Sequence, residues 1–185
     1  MSEAVASTAT TRAERETEAW AVLATVPDPE VPALSLCDLG VVREVREVHA
    51  ALDEAAGLEV VLTPTYSGCP ATEVIAESVR EAIEQAGLGP VRVTHRLAPA
   101  WTTDWISEAG RRKLRDCGIA PPDPLGAQQA ADGAPQPIRL RLRPVPCPRC
   151  GSIDTERLAA FGSTACKALH RCLACHEPFE HFKPI

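Results

Sequence analysis

The residues of this 185-residue chain best suited to chemistry are its eight cysteines, and five of them, Cys147, Cys150, Cys166, Cys172 and Cys175, fall in the last 39 positions. CPRC at 147–150 and CLAC at 172–175 each place two thiols two residues apart, a spacing that lets a tight knuckle aim both sulfurs at one ion. With 21 residues between Cys150 and Cys172, the two knuckles predict a tetrahedral four-sulfur shell, and a module this short depends on such a metal to fold. Zinc is the metal expected of a closed structural shell, although four thiolates also suit a single iron or an iron–sulfur cluster. Two complete pairs leave His170 and His176 unneeded as ligands, so both are expected to face solvent. Cys166 is a fifth thiol, read from its type alone as a small buried hydrophobe.

A second candidate lies in TPTYSGCPATEVI, where a strand ends, Gly68 permits a sharp turn and a helix begins at about Pro70. Unpaired N–H groups and the helix dipole at that point predict a lowered pKa for Cys69 and a thiolate able to attack or to bind metal. The plain alternative is a small residue at a tight turn. Asp28, Glu30 and Asp38 bring carboxylates into the PDPE-to-DLG loop; they are candidate oxygen ligands for a metal brought to Cys69, or else solvated loop acids. Cys37, in the apolar SLCDLG, and Cys117, before a helix-ending glycine, are read as packing residues.

The elements that must position these groups are legible in the hydrophobic pattern. Residues 12–26 put Ala19, Val22, Leu23 and Val26 on one helical stripe, with Pro27 and Pro29 as the stop. VVREVREVHA and LEVVLT, joined by a turn from Asp53 to Gly57, read as a hairpin. A helix follows from Pro70 to Gly87 with Val74, Ile75, Val79 and Ile83 on its stripe, then a strand at 90–97 and a last helix in SEAGRRKLRDCG. The strand, helix and strand from 58 to 97 require a crossover that returns parallel. The expected fold class is α+β: a small mixed sheet covered by helices, followed by a C-terminal zinc β-ribbon.

Charge divides the chain in the same place. Residues 1–137 hold 11 Lys and Arg against 21 Asp and Glu, whereas residues 138–185 hold eight against four. Between them PPDPLGAQQAADGAPQP, residues 121–137, lacks any period that could bury a face and reads as a linker. This predicts a body at 1–120 with a disordered N-terminal end, and a ribbon at 138–185 that melts on its own. The net charge of −6 and the aromatic content of 4% argue against a nucleic-acid partner. The basic ribbon is expected instead to meet an acidic protein or the acidic body. No apolar run spans a membrane and no secretory signal opens the chain, so a cytoplasmic address is expected.

DPEVPALSLCDLGVVREV, TPTYSGCPATEVI, LAPAWTTDWISEAGRRKLRDCGIAPP and CPRCGSIDTERLAAFGSTACKALHRCLACHEPFEHFKP together resemble the PaaD (PaaJ) family of bacterial phenylacetate degradation, in order, over roughly residues 20–184. The body resembles the wider family of small iron–sulfur-assembly proteins that includes SufT. The resemblance implies an accessory factor of the multicomponent phenylacetyl-CoA epoxidase, the ring 1,2-epoxidase of aerobic phenylacetate degradation, maturing or repairing its iron or iron–sulfur centres. It also implies that the family's acidic loop falls on Asp28 and Glu30, its transient iron or cluster ligand on Cys69, and its ribbon on Cys147, Cys150, Cys172 and Cys175. Cys166 lies within the matched FGSTACKAL, while Cys37 and His170 depart from the family pattern and take no role from it. Epoxidase subunits, especially the reductase or the di-iron subunit, are the implied partners, and a homodimer sharing a cluster is a further arrangement.

The chain has no helical Glu-x-x-His pair and no Gly-rich dinucleotide fingerprint, so oxygen activation and hydride transfer are expected elsewhere and the chain is not expected to be the catalyst. The rival function is a non-catalytic zinc-ribbon adaptor that assembles epoxidase subunits. A thiol–disulfide enzyme is disfavoured, because no CxxC lies outside the metal shell.

Overall fold

The computed structural model describes residues 11–48, 57–66, 68–123 and 144–185. The N-terminal end read as disordered, most of the hairpin turn and residues 124–137 of the expected linker lie outside the described residues. Helix α1 spans Arg12–Leu23, strand β1 Val42–Val48 and strand β2 Gly57–Leu62; helix α2 spans Thr72–Gln85, strand β3 Val91–His95 and helix α3 Glu108–Asp116. The short strand β4, Ile119–Ala120, precedes the ribbon strands β5 Thr155–Ala159, β6 Lys167–Cys172 and β7 Pro178–Phe182.

The body sheet has the order β1-β2-β3, with β1 and β2 antiparallel and β2 and β3 parallel, as the crossover requires. Strand β2 is central, and its apolar run leaves Leu58 and Val60 with no exposed surface. Helix α2 turns Ile75, Ala76, Val79 and Ile83 inward, and α1 contributes Ala19 and Leu23. Helix α1 starts on a Thr11–Glu14 capping box. It ends at Leu23, before the expected position 26, because the backbone turns at Ala24 and carries Pro27 to a bridge with Ser35.

Asp38 organises the turn that follows. It accepts the Ser35 N–H at 3.0 Å, the Ser35 hydroxyl at 3.1 Å, the Ser107 hydroxyl at 3.2 Å and the Lys113 ammonium at 2.6 Å, tying residues 35–40 to the start and middle of α3. The approach is close: a Cβ on Gly110 would stand 2.8 Å from the Asp38 carbonyl oxygen. Asp38 is therefore a structural acid and not the solvated loop acid that the sequence offered beside oxygen ligation.

The ribbon does not stand apart. Strand β4, directly after α3, pairs parallel with β7 and completes a sheet of order β4-β7-β6-β5. Phe182 and Cys166, both from the ribbon, are buried in the same apolar cluster as Leu39, Leu62 and Trp101 of the body. The Phe182 and Trp101 rings lie 6.0 Å apart, and the Trp101 indole N–H donates to the Leu39 carbonyl at 2.9 Å. The Thr103 N–H reaches the Ile185 carbonyl at 3.1 Å. The expectation of a ribbon melting alone is replaced: the two modules share a core. Since Phe182 is 2% exposed, Phe182→Ala should cost about 3–5 kcal/mol. Calorimetry should show one transition at a lower temperature for the entire chain; an unshifted body transition beside a lost ribbon transition would show that the modules fold separately.

Candidate metal centres

The four knuckle sulfurs converge. Cys147, Cys150, Cys172 and Cys175 place their Sγ atoms within 4.8 Å of one another, with 3.8 Å between Cys147 and Cys175 and 3.5 Å between Cys150 and Cys172. Sulfurs about 2.3 Å from a central ion at tetrahedral angles stand about 3.8 Å apart, so these four fit a tetrahedral metal. The first knuckle is folded by the Gly151 N–H to the Cys147 carbonyl and the Cys147 N–H to the Ser152 carbonyl, both at 2.9 Å; Gly151 there has φ +74°. In the second, the Cys175 N–H points at the Cys172 sulfur at 3.4 Å. That N–H, with the one from Ala174, draws the Cys172 thiol down to about 7, while contact with the other shell thiols pushes Cys150 up to about 12.

His176 is exposed, as expected, but His170 is not: it is buried, stacked on Phe179 at 5.6 Å and edge-on to His181 at 5.4 Å. Residue 170 lies on β6 with its side chain toward Phe179, its cross-strand partner, and burial holds its pKa down. It packs beside the shell and is not part of it.

Around Cys69 the structure assembles a different set. The thiol sits three residues before α2 on a turn closed by the Cys69 N–H to the Tyr66 carbonyl at 3.1 Å, and the Thr72 hydroxyl donates to the Cys69 carbonyl at 2.8 Å. The Ala71 N–H and the Thr72 side chain do pull the thiol pKa down, as the sequence suggested. They lose: burial is the larger effect, the negative charges of Glu30 and Asp28 add to it, and the net shift is upward. The expected low-pKa thiolate is therefore corrected to a thiol that keeps its proton until a cation offsets those carboxylates.

Asp28 is buried, and its Oδ1 accepts the Glu30 N–H at 3.0 Å and the Val31 N–H at 2.8 Å, which folds the PDPE turn and holds Glu30 beside it. Burial raises both carboxyl pKa values, and the Asp28 charge raises that of Glu30 further. Folding thus disfavours their ionisation, and stability falls as pH climbs from their ordinary values through the raised ones. Cys37 is half-buried against the core, with its thiol raised to about 11 by burial and Asp38, whereas Cys117 is exposed at the end of α3 and does not pack as expected.

Cys166, read from its type as a small buried hydrophobe and kept as a possible extra thiol, is buried, with Sγ 3.0 Å from the Thr164 hydroxyl and 3.9 Å from Glu30 Oε2. Its neighbour Lys167 is 3% exposed, pairs with Glu180 at 2.9 Å and lowers the carboxyl pKa values of Asp28 and Glu30. No local spacing announces a contact across 136 positions. Its position outside both knuckles and its place in the FGSTACKAL string set Cys166 apart.

Comparison with known proteins follows this division. Residues 133–183 match the family described as PaaD zinc beta ribbon domain, and residues 16–94 match the family described as iron-sulfur cluster assembly protein. A protein of Escherichia coli (strain K12), named as one of the subunits of 1,2-phenylacetyl-CoA epoxidase, is 46% identical over 169 residues, 91% of this chain and 92% of its own. An Fe-S protein maturation auxiliary factor of Porphyromonas gingivalis (strain ATCC BAA-308 / W83) is 34% identical over 94 residues, 50% of this chain and 84% of its own. A domain of unknown function from Bacillus anthracis superposes with a TM-score of 0.49 at 23% identity, over 56% of this chain and 93% of that one.

The electrostatics of the Cys69 site are open to a direct test. Peptide mass spectrometry of iodoacetamide-treated protein should show Cys69 alkylation rising at higher pH than for free cysteine, and Glu30→Gln should move that rise to lower pH. A wild-type curve lying below that of free cysteine would mean that the helix start, not burial, sets the thiol.

Proposed function

The chain belongs to the PaaD family of 1,2-phenylacetyl-CoA epoxidase subunits, and from that premise we propose that it is an accessory factor that matures or repairs the iron or iron–sulfur centres of the epoxidase system. The observation that carries the reading is the separation of two kinds of thiol. Four sulfurs converge into a closed shell that has no position left for a client. Cys69 instead stands half-buried at a turn, within reach of solvent, where the charges of Glu30 and Asp28 act on it. A carrier needs such an open set, because a closed one does not release its cargo.

In this reading the ribbon holds one structural zinc, and iron or a cluster is cargo at Cys69. Asp28 and Glu30 lower the potential of the site for cations and offer oxygen donors. The thiol releases its proton to solvent as it takes the metal, and reprotonation from solvent lets the metal go again. Epoxidase subunits are the clients that the relative's name supports, and the reductase or the di-iron subunit, which carry the metal centres, are the ones this reading puts first. The side chains of Ile153, Leu158 and Phe161, each about half exposed or more on the ribbon, favour a second reading as an adaptor that holds those subunits together.

Elemental analysis should find one zinc per chain, and its removal by a chelator should lower the melting temperature; less than half an equivalent, or iron in its place, rejects a structural zinc. In cells growing on phenylacetate, Cys69→Ala should leave epoxidase subunits at normal levels but deficient in iron, with slow growth and an almost unchanged melting temperature of the variant itself. Normal growth with full metal occupancy would discard delivery in favour of the adaptor.

A further inference from the structure

We infer that the outer edge of β3 is an interface on which a second copy of this chain adds its own β3, antiparallel across a two-fold axis at Val93, joining the two body sheets into one. The inference stands apart from the reading of Cys69 and involves no metal.

The ladder shows which groups of β3 are left over. At one end of the parallel pair the Leu58 N–H donates to the Pro90 carbonyl at 2.9 Å, and at the other the Arg96 N–H donates to the Leu62 carbonyl at 2.8 Å. Alternate residues of a strand turn their main chain to the same neighbour, so Pro90, Arg92, Thr94 and Arg96 bond to β2 while Val91, Val93 and His95 turn their N–H and C=O groups outward. The sheet order ends at β3, and among the described residues no hydrogen bond reaches those three outward main chains. The other sheet edges are protected. Strand β1 is bulged between Val42 and Glu44, and its Glu47 N–H donates to the Glu16 carboxylate of α1 at 3.0 Å. Strand β5 is bulged between Arg157 and Ala159, and β4 is two residues long. Strand β3 pairs with β2 without a break from Val91 to His95, and a regular bare edge is a template for another strand.

A second copy fits this edge because the edge is complementary to itself. Val91, Val93 and His95 are symmetric about Val93, so an antiparallel β3 meets every outward donor with an acceptor: Val93 pairs with Val93, and Val91 with His95 in both directions. The side chains agree with that register. Val91 and Val93 are half-buried against the core cluster, and the axis brings the two Val93 side chains together with Val91 at each flank. On the opposite face Arg92 comes opposite Thr94 of the second copy, whose hydroxyl donates to the Glu59 carboxylate at 3.3 Å, so each guanidinium gains an acid across the axis. Leu97 is 62% exposed just past the strand and falls opposite Gly89 of the second copy, where no side chain blocks it. An edge this short buries less than a standard interface of about 1,600 Å², which implies a weak dimer with a dissociation constant on the order of 10 μM.

Sedimentation velocity of the full chain from about 1 to about 300 μM should show a monomer–dimer equilibrium. Over that range hydrogen exchange, read residue by residue by mass spectrometry with electron-transfer fragmentation, should slow about fivefold at the Val91, Val93 and His95 amides and stay unchanged at Arg92 and Thr94, which bond to β2. Val93→Pro removes the central outward N–H without breaking a bond to β2 and should abolish the dimer over the same range. Arg92→Glu leaves the ladder whole and sets an acid near Glu59 of the second copy, so it should weaken the dimer about fivefold; it decides the matter if Val93→Pro fails to fold. A monomer at every concentration overturns the inference. So does protection of the three outward amides that does not vary with concentration, which would mean that another segment of the same chain covers the edge. A dimer that leaves those amides unprotected, or that Arg92→Glu and a folded Val93→Pro both leave at full strength, would place the contact on another surface and overturn it as well.

Discussion

Everything in this molecule that involves metal depends on the seam where β7 meets β4 and Phe182 enters the core beside Trp101. A ribbon of this size cannot bury enough apolar surface to hold itself together, and its four sulfurs supply that deficit only at one end. The other end is held by the body. Strand β6 runs between the two, so a metal that folds the knuckles also sets the strand that presents Cys166 and Lys167 to Asp28 and Glu30. The shell and the Cys69 region are therefore coupled through packing, although their ligands are separate.

The charges follow the same plan. The excess of acid in the body and of base in the ribbon suggests a general attraction between the two, yet the contact uses very few of those charges. Lys167 is buried and meets Glu180 of its own ribbon, and Arg111 is buried against the carbonyls of Thr103 and Pro122. Many of the remaining pairs, such as Arg46 with Glu59 and Arg171 with Glu156, lie at the surface where each contributes little. Specificity at the seam comes from shape and from a small number of desolvated groups, while the bulk charge asymmetry is left to act on other molecules.

What could be read from the sequence and what could not divides along contact range. The stripe of α2 apart from the exposed Val74, the parallel return of β3 and both knuckles appeared where period 3.6 or fixed spacing put them, whereas a bulge between Val42 and Glu44 breaks the alternation of β1 and buries Val42 and Val45, three positions apart. The misses that matter for the site are long-range. Asp38 sits in the same loop as Asp28 but bonds to Ser107 and Lys113, some seventy positions on, and so became a structural acid. The two residues of β4 are too few to show a period, and His170 is buried by a cross-strand neighbour that its own segment does not contain. The direction of the Cys69 shift was missed for the same reason: the helix start that lowers it is local, whereas the carboxylates and burial that raise it are supplied by other parts of the fold.

The pairing of β6 with β7 has a consequence for how this chain can change over generations. Side chains on a strand alternate between faces, so inserting one residue between Lys167 and Cys172 would swing the thiol out of the core and turn Lys167 into its place. Six positions are thus bound to a fixed length by two unrelated demands, one at each end. The stretch between Cys150 and the start of β5 is held at both ends as well, because the Ser152 carbonyl accepts the Cys147 N–H at 2.9 Å and the Asp154 carbonyl accepts the Leu173 N–H at 2.8 Å, so a residue gained or lost there would disturb both knuckles. Variation in length among descendants of this sequence should be purged from both stretches, whatever happens to the identity of the side chains in between.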